Sequence, residues 1–232
     1  MQVIITKAIL FCPRSVKFLN ISFWGGVSLL FATSNAFAVT INLWDIFPKT
    51  TQGENGVFLY GYNPSSQTYR QLDNGGDYFF NTPNQGWAIP QISRSSVDES
   101  WMTLHPAYQY GTVYGVEDIV LAYNVSEANT YTVSGDFQQY GGGSVGAYIY
   151  RNETLLWSQG LPGGAQASFN LENITLNAND RLFFGISAAG DDVNDSSGFR
   201  ATIVAIPEPA SILLFGLGGA GLAFRRFRRK NA

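Results

Sequence analysis

The sequence predicts an all-β fold, a single β-sandwich (jelly roll) of about nine or ten antiparallel strands. Most of the middle of the chain alternates apolar and polar residues with a period of two, and Gly, Asn and Asp separate the alternating segments. No segment between residues 39 and 206 carries a sustained helical stripe. Residues 39–206 therefore form the predicted domain, between an N-terminal segment, 1–38, and a C-terminal tail, 207–232.

The predicted strands each carry apolar residues on one face. They lie near residues 57–62, 101–104, 119–123, 130–137, 145–150, 155–157, 182–186 and 199–203. In the fifth of them, Val145, Ala147 and Ile149 share one face, and Tyr148 and Tyr150 lie on the opposite one. The polar residues that separate the fifth strand from the sixth predict a hairpin.

The N-terminal segment has the three parts of a secretion signal peptide. Basic residues precede an apolar run at 18–31, and Ala36 and Ala38 form a small-x-small cleavage site. We expect signal peptidase to cut after Ala38, and an uncleaved signal anchor is the alternative.

The predicted domain is acidic and lacks cysteine. Between residues 39 and 206, six Lys and Arg stand against sixteen Asp and Glu, a net charge of −10, whereas the whole chain carries −3. Such a surface argues against nucleic acid as a partner. The only cysteine, Cys12, lies in the predicted signal peptide. The mature domain is therefore expected to have neither disulfides nor thiol chemistry.

The C-terminal tail combines three features in order. A Pro-Glu-Pro triplet, which continues neither a strand nor a helix, precedes an apolar run at 210–224 and a basic cluster at 225–230. A helix over that run would span about 22 Å, less than the ~30 Å hydrocarbon core of a membrane. The basic cluster should stay on the cytoplasmic side. The run therefore predicts a short apolar helix that contacts the membrane transiently.

This order of features resembles the PEP-CTERM sorting signal. The residues that carry the resemblance are Pro207, Glu208, Pro209, Arg225, Arg226, Arg228 and Arg229. The resemblance implies that exosortase, a membrane-embedded cysteine protease, removes the tail during export to the cell surface or extracellular matrix of a Gram-negative bacterium. An ordinary C-terminal membrane anchor is the alternative. The signal occurs on many unrelated proteins and is uninformative about the activity of the domain.

The domain also resembles the jelly-roll module of many exported bacterial proteins with this tail, which is similar in shape to carbohydrate-binding modules. Five segments carry this resemblance, and they are Leu104-His105-Pro106 and residues 118–123, 129–137, 176–186 and 195–203. Most of their residues belong to turns or the core, so they imply a fold more than a function. The module usually has glycine after His-Pro, where this chain has Ala107.

The sequence offers no recognisable catalytic set. His105 is the only histidine, and no Gly-x-Ser-x-Gly elbow is present. We interpret the imidazole as a loop residue that is hydrogen-bonded to backbone. The pairs Asp98-Glu99, Glu117-Asp118 and Asp191-Asp192 are poor glycosidase pairs because neighbours on a strand point to opposite faces, and we interpret them as solvated turns. We therefore predict a protein that is not an enzyme, with a hydrolase as the least favoured alternative.

The loop at residues 190–198 holds the densest group of oxygen ligands in the sequence. Its candidate calcium ligands are Asp191, Asp192, Asn194 and Asp195. Calcium takes about six to eight oxygens from carboxylates, amides and carbonyls. The spacing is not that of an EF-hand, so a structural calcium ion and an Asn/Asp-rich turn remain the two interpretations. No other cofactor is predicted.

Aromatic residues are the candidates for ligand binding, because sugar rings stack on aromatic faces while polar neighbours bind the hydroxyls. The candidates are Trp87, Tyr108, Tyr110 and Tyr114. Core packing is the alternative for each of them. The tryptophans of more apolar segments are expected in the core, and these are Trp44, Trp101 and Trp157.

Two functional hypotheses follow. In the first, the exported domain binds polysaccharide of the extracellular matrix through aromatic residues. In the second, the protein is a structural component of the matrix or surface that self-associates and has no sugar site. The first hypothesis predicts binding to polysaccharide. The second predicts concentration-dependent assembly that added glycans do not change.

Overall fold

A computed structural model of the chain describes residues 17–23, 27–33, 38–74, 78–80, 90–94, 100–108, 115–190 and 193–206. The chain divides into two units between Phe37 and Ala38. The first unit contains an antiparallel hairpin of β1 (Lys17–Phe23) and β2 (Val27–Thr33). The two strands include most of the apolar run at 18–31. The assignment of this segment as a signal peptide stays a prediction.

The second unit contains the predicted sandwich. It has fourteen described strands, and Glu54–Gly56 forms one turn of 3₁₀ helix. The strands are β3 (Val39–Asn42), β4 (Val57–Asn63), β5 (Thr68–Gln71), β6 (Asp73–Asn74), β7 (Tyr78–Phe80), β8 (Gln91–Arg94), β9 (Met102–His105), β10 (Asp118–Asn124), β11 (Asn129–Gln139), β12 (Val145–Arg151), β13 (Thr154–Leu161), β14 (Gln166–Leu176), β15 (Arg181–Ser187) and β16 (Ser197–Ile206).

The strands form two antiparallel sheets. The six-stranded sheet has the order β13-β12-β15-β10-β4-β5, and the eight-stranded sheet has the order β14-β11-β16-β9-β8-β7-β6. The short strand β3 also belongs to the second sheet, where it pairs with β16. Every residue of β16 is in register with β11, and its other edge pairs first with β9 and then with β3. The predicted all-β sandwich is therefore confirmed.

The core lies between the two sheets. Leu121 and Phe184 contribute from the six-stranded sheet, and Val133, Phe137 and Phe199 contribute from the eight-stranded sheet, all of them fully buried. The rings of Phe137 and Phe199 stack with centroids 4.8 Å apart. Burial of apolar area, at roughly 25 cal/mol per Å², is what favours the one-sided alternation of these strands.

Of the three tryptophans that were expected in the core, Trp44 and Trp157 are partly buried and pack against it. Trp101 is buried but is not part of the core cluster, and its ring lies against Arg200. Trp157 stacks on Phe137 with ring centroids 5.6 Å apart.

Each of the eight predicted strands overlaps an observed one, and the predicted hairpin is the β12–β13 turn, where Asn152 has φ 51°. The sandwich nevertheless has more strands than the nine or ten expected. The additional strands are β3, β5, β6, β7, β8 and β14. The first five have four residues or fewer, too few to show a period-two pattern.

The long strand β14 escapes the pattern because a bulge interrupts it. Phe169 and Leu171 alternate normally, Asn173 then adopts φ 57°, and Ile174 and Leu176 resume the alternation one residue out of phase. The register with β11 shifts at the same place. One extra residue on a strand reverses the face of every residue after it, which conceals the alternation in the sequence.

No helix among the residues that the structure describes is long and apolar enough to cross a membrane. The predicted apolar helix and the sorting residues fall in 207–232, outside the described residues. Of the predicted cleavage site, Ala36 also lies outside them, and Ala38 is exposed.

Candidate ligand-binding face

The side of the six-stranded sheet that faces away from the core carries aromatic rings. The solvated face of an antiparallel sheet is usually polar. We call this surface the aromatic face, and its rings belong to Phe58, Tyr60, Tyr62, Tyr69, Tyr148, Tyr150 and Phe183. Most of them pack with Val120 and Ala122 in an apolar cluster that is separate from the core.

The register of the strands arranges these rings in rows across the sheet. Ala122 of β10 pairs with Phe58 on one side and Phe183 on the other, and Phe183 pairs in turn with Tyr150. In the next row, Val120 lies between Tyr60 and Gly185. Gly185 pairs in turn with Tyr148 of β12. In this second row, aromatic side chains of β4 and β12 therefore flank two smaller residues.

The side chain of Tyr148 extends across Gly185 in this row. A Cβ added at Gly185 would collide with the ring carbons and the hydroxyl of Tyr148, so the ring lies directly over the glycine. From there the Tyr148 hydroxyl reaches Asp118, which belongs to the next strand of the sheet. The absence of a side chain at Gly185 is thus what permits this position of Tyr148.

Tyr69 is the most exposed ring of the face, with 47% of its surface accessible. It comes from the edge strand β5 and stacks on Phe183 with centroids 5.2 Å apart. It also contacts Tyr62 at 4.7 Å and the edge of Tyr60 at 5.5 Å. Partial burial raises the pKa of Tyr69 to about 12.

Asp118 lies buried at one end of the face. Its Oδ2 accepts a hydrogen bond of 2.8 Å from the Tyr148 hydroxyl. Burial raises the pKa of Asp118 to about 6, and the Tyr148 bond opposes this rise only in part. Asp118 is the only Asp or Glu in the six strands of this sheet.

A buried ion pair fixes the edge strand that carries Tyr69. Arg70 of β5 donates from Nε to Glu117 Oε1 at 2.9 Å, and its Nη2 contacts Glu117 Oε2. A Cβ on Gly61 would lie only 2.7 Å from Glu117 Oε2, so the pair passes close to the backbone of β4. Because Glu117 directly precedes β10, the pair holds β5 and β10 in position on either side of β4.

Charged groups lie at the two ends of the aromatic face. The Arg181 guanidinium is 5.8 Å from the ring centroid of Phe58, at the end opposite to Asp118. Arg181 is in register with Asn124, six residues along β10 from Asp118. At ~3.3 Å per residue the two ends are about 20 Å apart, long enough for several sugar units.

The hydroxyls of the face supply polar groups beside the rings. Among the described residues, none hydrogen-bonds the hydroxyls of Tyr60, Tyr62, Tyr69 or Tyr150. The same holds for Asp118 Oδ1. The face can therefore offer flat apolar surface for stacking together with donors and acceptors for ligand hydroxyls.

Of the ligand-binding residues expected from the sequence, Tyr108 alone belongs to the described part of the chain. Trp87, Tyr110 and Tyr114 fall outside the described residues. Tyr108 is described and is exposed, one residue after the bridge between Ala107 and Glu117. That bridge has two backbone hydrogen bonds, of 2.7 and 2.8 Å, so Ala107 takes a paired backbone position. The binding role of these four residues stays a prediction.

The predicted calcium loop is described in part. Asp191 and Asp192 lie outside the described residues, whereas Asp195 is fully buried. The Gln139 Nε2 atom donates to the Asn194 carbonyl at 3.1 Å and approaches Asp195 Oδ1 at 3.5 Å. No group of three or more His, Cys, Asp or Glu among the described residues is placed to hold a metal. Asp195 therefore belongs to a buried polar network, and the calcium ion stays a prediction.

The structure agrees with the interpretation of His105 as a residue that is hydrogen-bonded to backbone. The interpretation of Glu117-Asp118 as a solvated turn is wrong, because both residues are buried and Asp118 begins β10. The His105 ring Nδ1 lies 2.8 Å from the Pro106 carbonyl, to which it must donate because a carbonyl only accepts. His105 itself ends β9 rather than lying in a loop. Glu117 contacts Arg70, whereas Asp118 contacts Tyr148 on the aromatic face.

Sequence reasoning missed the aromatic face, although the signal for it was present. Val57 and Leu59 point to the core, while Phe58, Tyr60 and Tyr62 alternate with them on the other side. A strand with apolar residues on both faces indicates that each face either packs against another part of the protein or binds a ligand.

Comparison with solved structures found matches to several carbohydrate-binding modules, with low identity and TM-scores below 0.5. One is a CBM36 module described in complex with calcium and xylotriose, with 13% identity and a TM-score of 0.30 over 52% of this chain and 92% of that one. A family 29 module has 14% identity and a TM-score of 0.37 over 73% and 89% of the two chains. A CBM51 module from Clostridium perfringens, described with methyl-galactose, has 10% identity and a TM-score of 0.35 over 72% and 100%.

The sequence matches no curated protein. Residues 205–229 match the PEP-CTERM protein-sorting motif, which confirms the resemblance of the tail. The motif covers Pro207, Glu208 and Pro209 and most of the basic cluster. The chain therefore carries a PEP-CTERM sorting motif, which indicates an exported protein that exosortase processes.

Proposed function

We propose that this exported protein binds polysaccharide of the cell surface or extracellular matrix through the aromatic face. The observation that supports the proposal is the set of seven aromatic side chains on the outer side of the six-stranded sheet. In a two-layer sandwich that side needs no apolar residues for folding, because the core lies between the sheets. An apolar cluster on that side, with Tyr69 about half exposed, is best explained by a ligand.

Sugars fit this surface better than purely apolar ligands do. The C–H faces of pyranose rings stack on aromatic rings, and their hydroxyls require partners beside those rings. Four tyrosine hydroxyls and one oxygen of Asp118 have no partner among the described residues. The length of about 20 Å between Asp118 and the Asn124–Arg181 pair suits an extended chain more than a single sugar.

The proposed role is binding without catalysis. Glycoside hydrolysis ordinarily uses two carboxyl groups that flank the bond to be cleaved. Asp118 lies on the face, but its neighbour Glu117 is held by Arg70 on the other side of the strand. This arrangement supports a binding site, and an assay for reducing ends released from each bound polysaccharide tests it.

The test is retention of the exported protein on a panel of insoluble and soluble polysaccharides, with Tyr69→Ala as the main variant. We expect the parent to bind at least one polysaccharide and Tyr69→Ala to bind it about ten- to hundredfold more weakly, as expected for loss of one stacking ring. Tyr140→Ala is the matched control, because Tyr140 has 48% exposure against 47% for Tyr69 and lies outside the face. Equal losses in both variants would contradict the assignment.

Self-association is the second candidate function, and the same apolar surface favours it. Two copies that joined their aromatic faces would bury the exposed part of Tyr69 without any sugar. Sedimentation of the parent and Tyr69→Ala, with and without the polysaccharides of the panel, separates the two functions. Assembly that depends on Tyr69 and is unchanged by polysaccharide would support self-association and exclude the glycan proposal for this face.

A further inference from the structure

The opposite layer of the sandwich contains a cavity that the aromatic face does not involve. It has a volume of about 470 Å³ and lies against β3, β11 and β16 of the eight-stranded sheet. Its polar lining includes Asn42, Ser134, Asp136, Arg200 and Thr202. The register places Asn42 beside Thr202, Thr202 beside Ser134, and Arg200 beside Asp136.

Asp136 serves to hold Arg200 in place. Its Oδ2 accepts from Arg200 Nε at 2.7 Å, and its Oδ1 accepts from Ser168 Oγ at 2.6 Å and Gln166 Nε2 at 3.2 Å. Burial alone would raise the pKa of Asp136, but the bonds from Ser168, Arg200 and Gln166 outweigh it and lower this pKa. Asp136 is therefore ionised, and its two oxygens are already occupied by three donors.

An aromatic ring is the second group that holds the Arg200 side chain in place. Its guanidinium carbon lies 4.6 Å from the ring centroid of Trp101. Only Nε of the guanidinium has a hydrogen-bond partner among the described residues, which leaves both Nη groups available. A guanidinium that is already ordered loses little entropy when it binds a ligand.

The remaining groups of the cavity are mostly donors as well. Asn42 Oδ1 accepts from the Trp44 backbone N–H at 3.0 Å, so its amide group is left to donate. The hydroxyls of Ser134 and Thr202 have no partner among the described residues. The Asp136 carboxylate also lines the cavity, but both of its oxygens already accept hydrogen bonds. The groups left for a ligand are two guanidinium nitrogens, one amide and two hydroxyls, a set that favours an acceptor-rich anion.

We propose that this cavity is a second binding site, which takes the carboxylate of an acidic sugar, a uronate. Arg200 binds the carboxylate through its Nη groups, and Asn42, Ser134 and Thr202 bind ring hydroxyls. A guanidinium matches a carboxylate with two parallel hydrogen bonds, which an uncharged sugar cannot reproduce. This site does not depend on the aromatic face. With both sites occupied, one molecule joins two glycan chains on opposite sides of the sandwich.

The test compares D-galacturonate with D-galactose, which has a hydroxymethyl group where galacturonate has a carboxylate. Titration calorimetry on the exported protein should give one saturable site for galacturonate, weaker by about ten- to hundredfold in Arg200→Gln. Galactose should not compete for it. Arg200→Lys, which keeps the charge but not the planar fork, should recover only part of the affinity. Trp101 fluorescence should respond to galacturonate.

Two further variants keep the test valid if the Arg200 variants do not fold. Ser134→Ala and Thr202→Val leave the Asp136–Arg200 pair intact, and each should weaken galacturonate binding several-fold without changing the melting temperature by much. Tyr69→Ala should bind galacturonate as the parent does, which separates this site from the polysaccharide site. Absence of galacturonate binding, equal binding in Arg200→Gln, or tighter binding of acetate or a glutamyl peptide would overturn the assignment.

Discussion

Tyr148 of β12 reaches over Gly185 of β15 and donates its hydroxyl to Asp118 of β10 at 2.8 Å. This single contact ties together three adjacent strands of the six-stranded sheet on the side away from the core. It also places a buried carboxyl group inside an otherwise uncharged group of rings. The pKa values of both partners are raised, that of Asp118 by burial and that of Tyr148 by burial and by the nearby Asp118.

Asp118→Asn should stabilise the protein at neutral pH. Because the pKa of Asp118 is raised to about 6, the folded state retains a proton that the unfolded state releases between about pH 4 and 6, and stability falls as pH rises through that window. Asparagine cannot ionise and can still accept from Tyr148. We expect Asp118→Asn to be more stable than the parent by up to about 3 kcal/mol at pH 7.

Urea unfolding at pH 4 and pH 7 measures this difference. Near pH 4 the parent Asp118 is mostly protonated in the folded state, so parent and variant should have similar stabilities there. An advantage of equal size at both pH values would mean that the raised pKa is not its cause.

Gly185→Ala should destabilise the six-stranded sheet. The new methyl group would collide with the Tyr148 ring and push its hydroxyl away from Asp118. We expect a loss of about 1–3 kcal/mol in the free energy of unfolding, the usual cost of overpacking. Gly160→Ala is the matched control, because a Cβ at Gly160 meets no atom within 4 Å. If both variants unfold at the same urea concentration, Tyr148 does not lie over Gly185.

Glu117→Gln should weaken the attachment of β5. Arg70 would keep one acceptor but lose its charged partner. Because the Arg70 side chain is 25% exposed, we expect a cost of about 1–3 kcal/mol, below the range for a fully buried pair. Faster hydrogen exchange of the β5 amides would localise the effect. The exposed Glu172→Gln on β14 provides the control, and equal effects would contradict a specific role of the pair.

Ser168→Ala should raise the pKa of Asp136. The hydroxyl of Ser168 donates one of the bonds that lower this pKa. A lowered carboxyl pKa stabilises the folded state above about pH 4 and loses this effect as pH falls, so the variant should lose part of that stabilisation. A carbon-detected NMR titration of Asp136 measures the shift directly. Ser158→Ala, on the other sheet, should leave the titration unchanged.

Alternation in the sequence predicted the strands that line the core, because one-sided burial leaves a period of two. It could not reveal strands as short as β6 or the bulged β14, where Asn173 reverses the phase. Motif order predicted the sorting tail, which the match at residues 205–229 confirms. These features are local in the sequence, and local patterns are what sequence reasoning detects.

The site depends on contacts that no local pattern contains. Tyr148 and Asp118 are 30 residues apart, and Arg200 and Asp136 are 64 apart. Only the pairing order of the strands brings them together. The alternation of Phe58, Tyr60 and Tyr62 was visible, but whether those rings faced a core or solvent required knowledge of which sheet faces the other.

The position of β16 has a mechanical consequence for the processing of the tail. The sorting motif begins at residue 205, while β16 continues to Ile206, so the strand and the motif overlap without a linker. A pull on the tail along the strand axis therefore loads the ten registered pairs between β16 and β11 together, in shear. Sheared strands share the force among all their hydrogen bonds and do not separate one bond at a time. The position of β16 therefore makes the sandwich resistant to a pull on its C-terminal end.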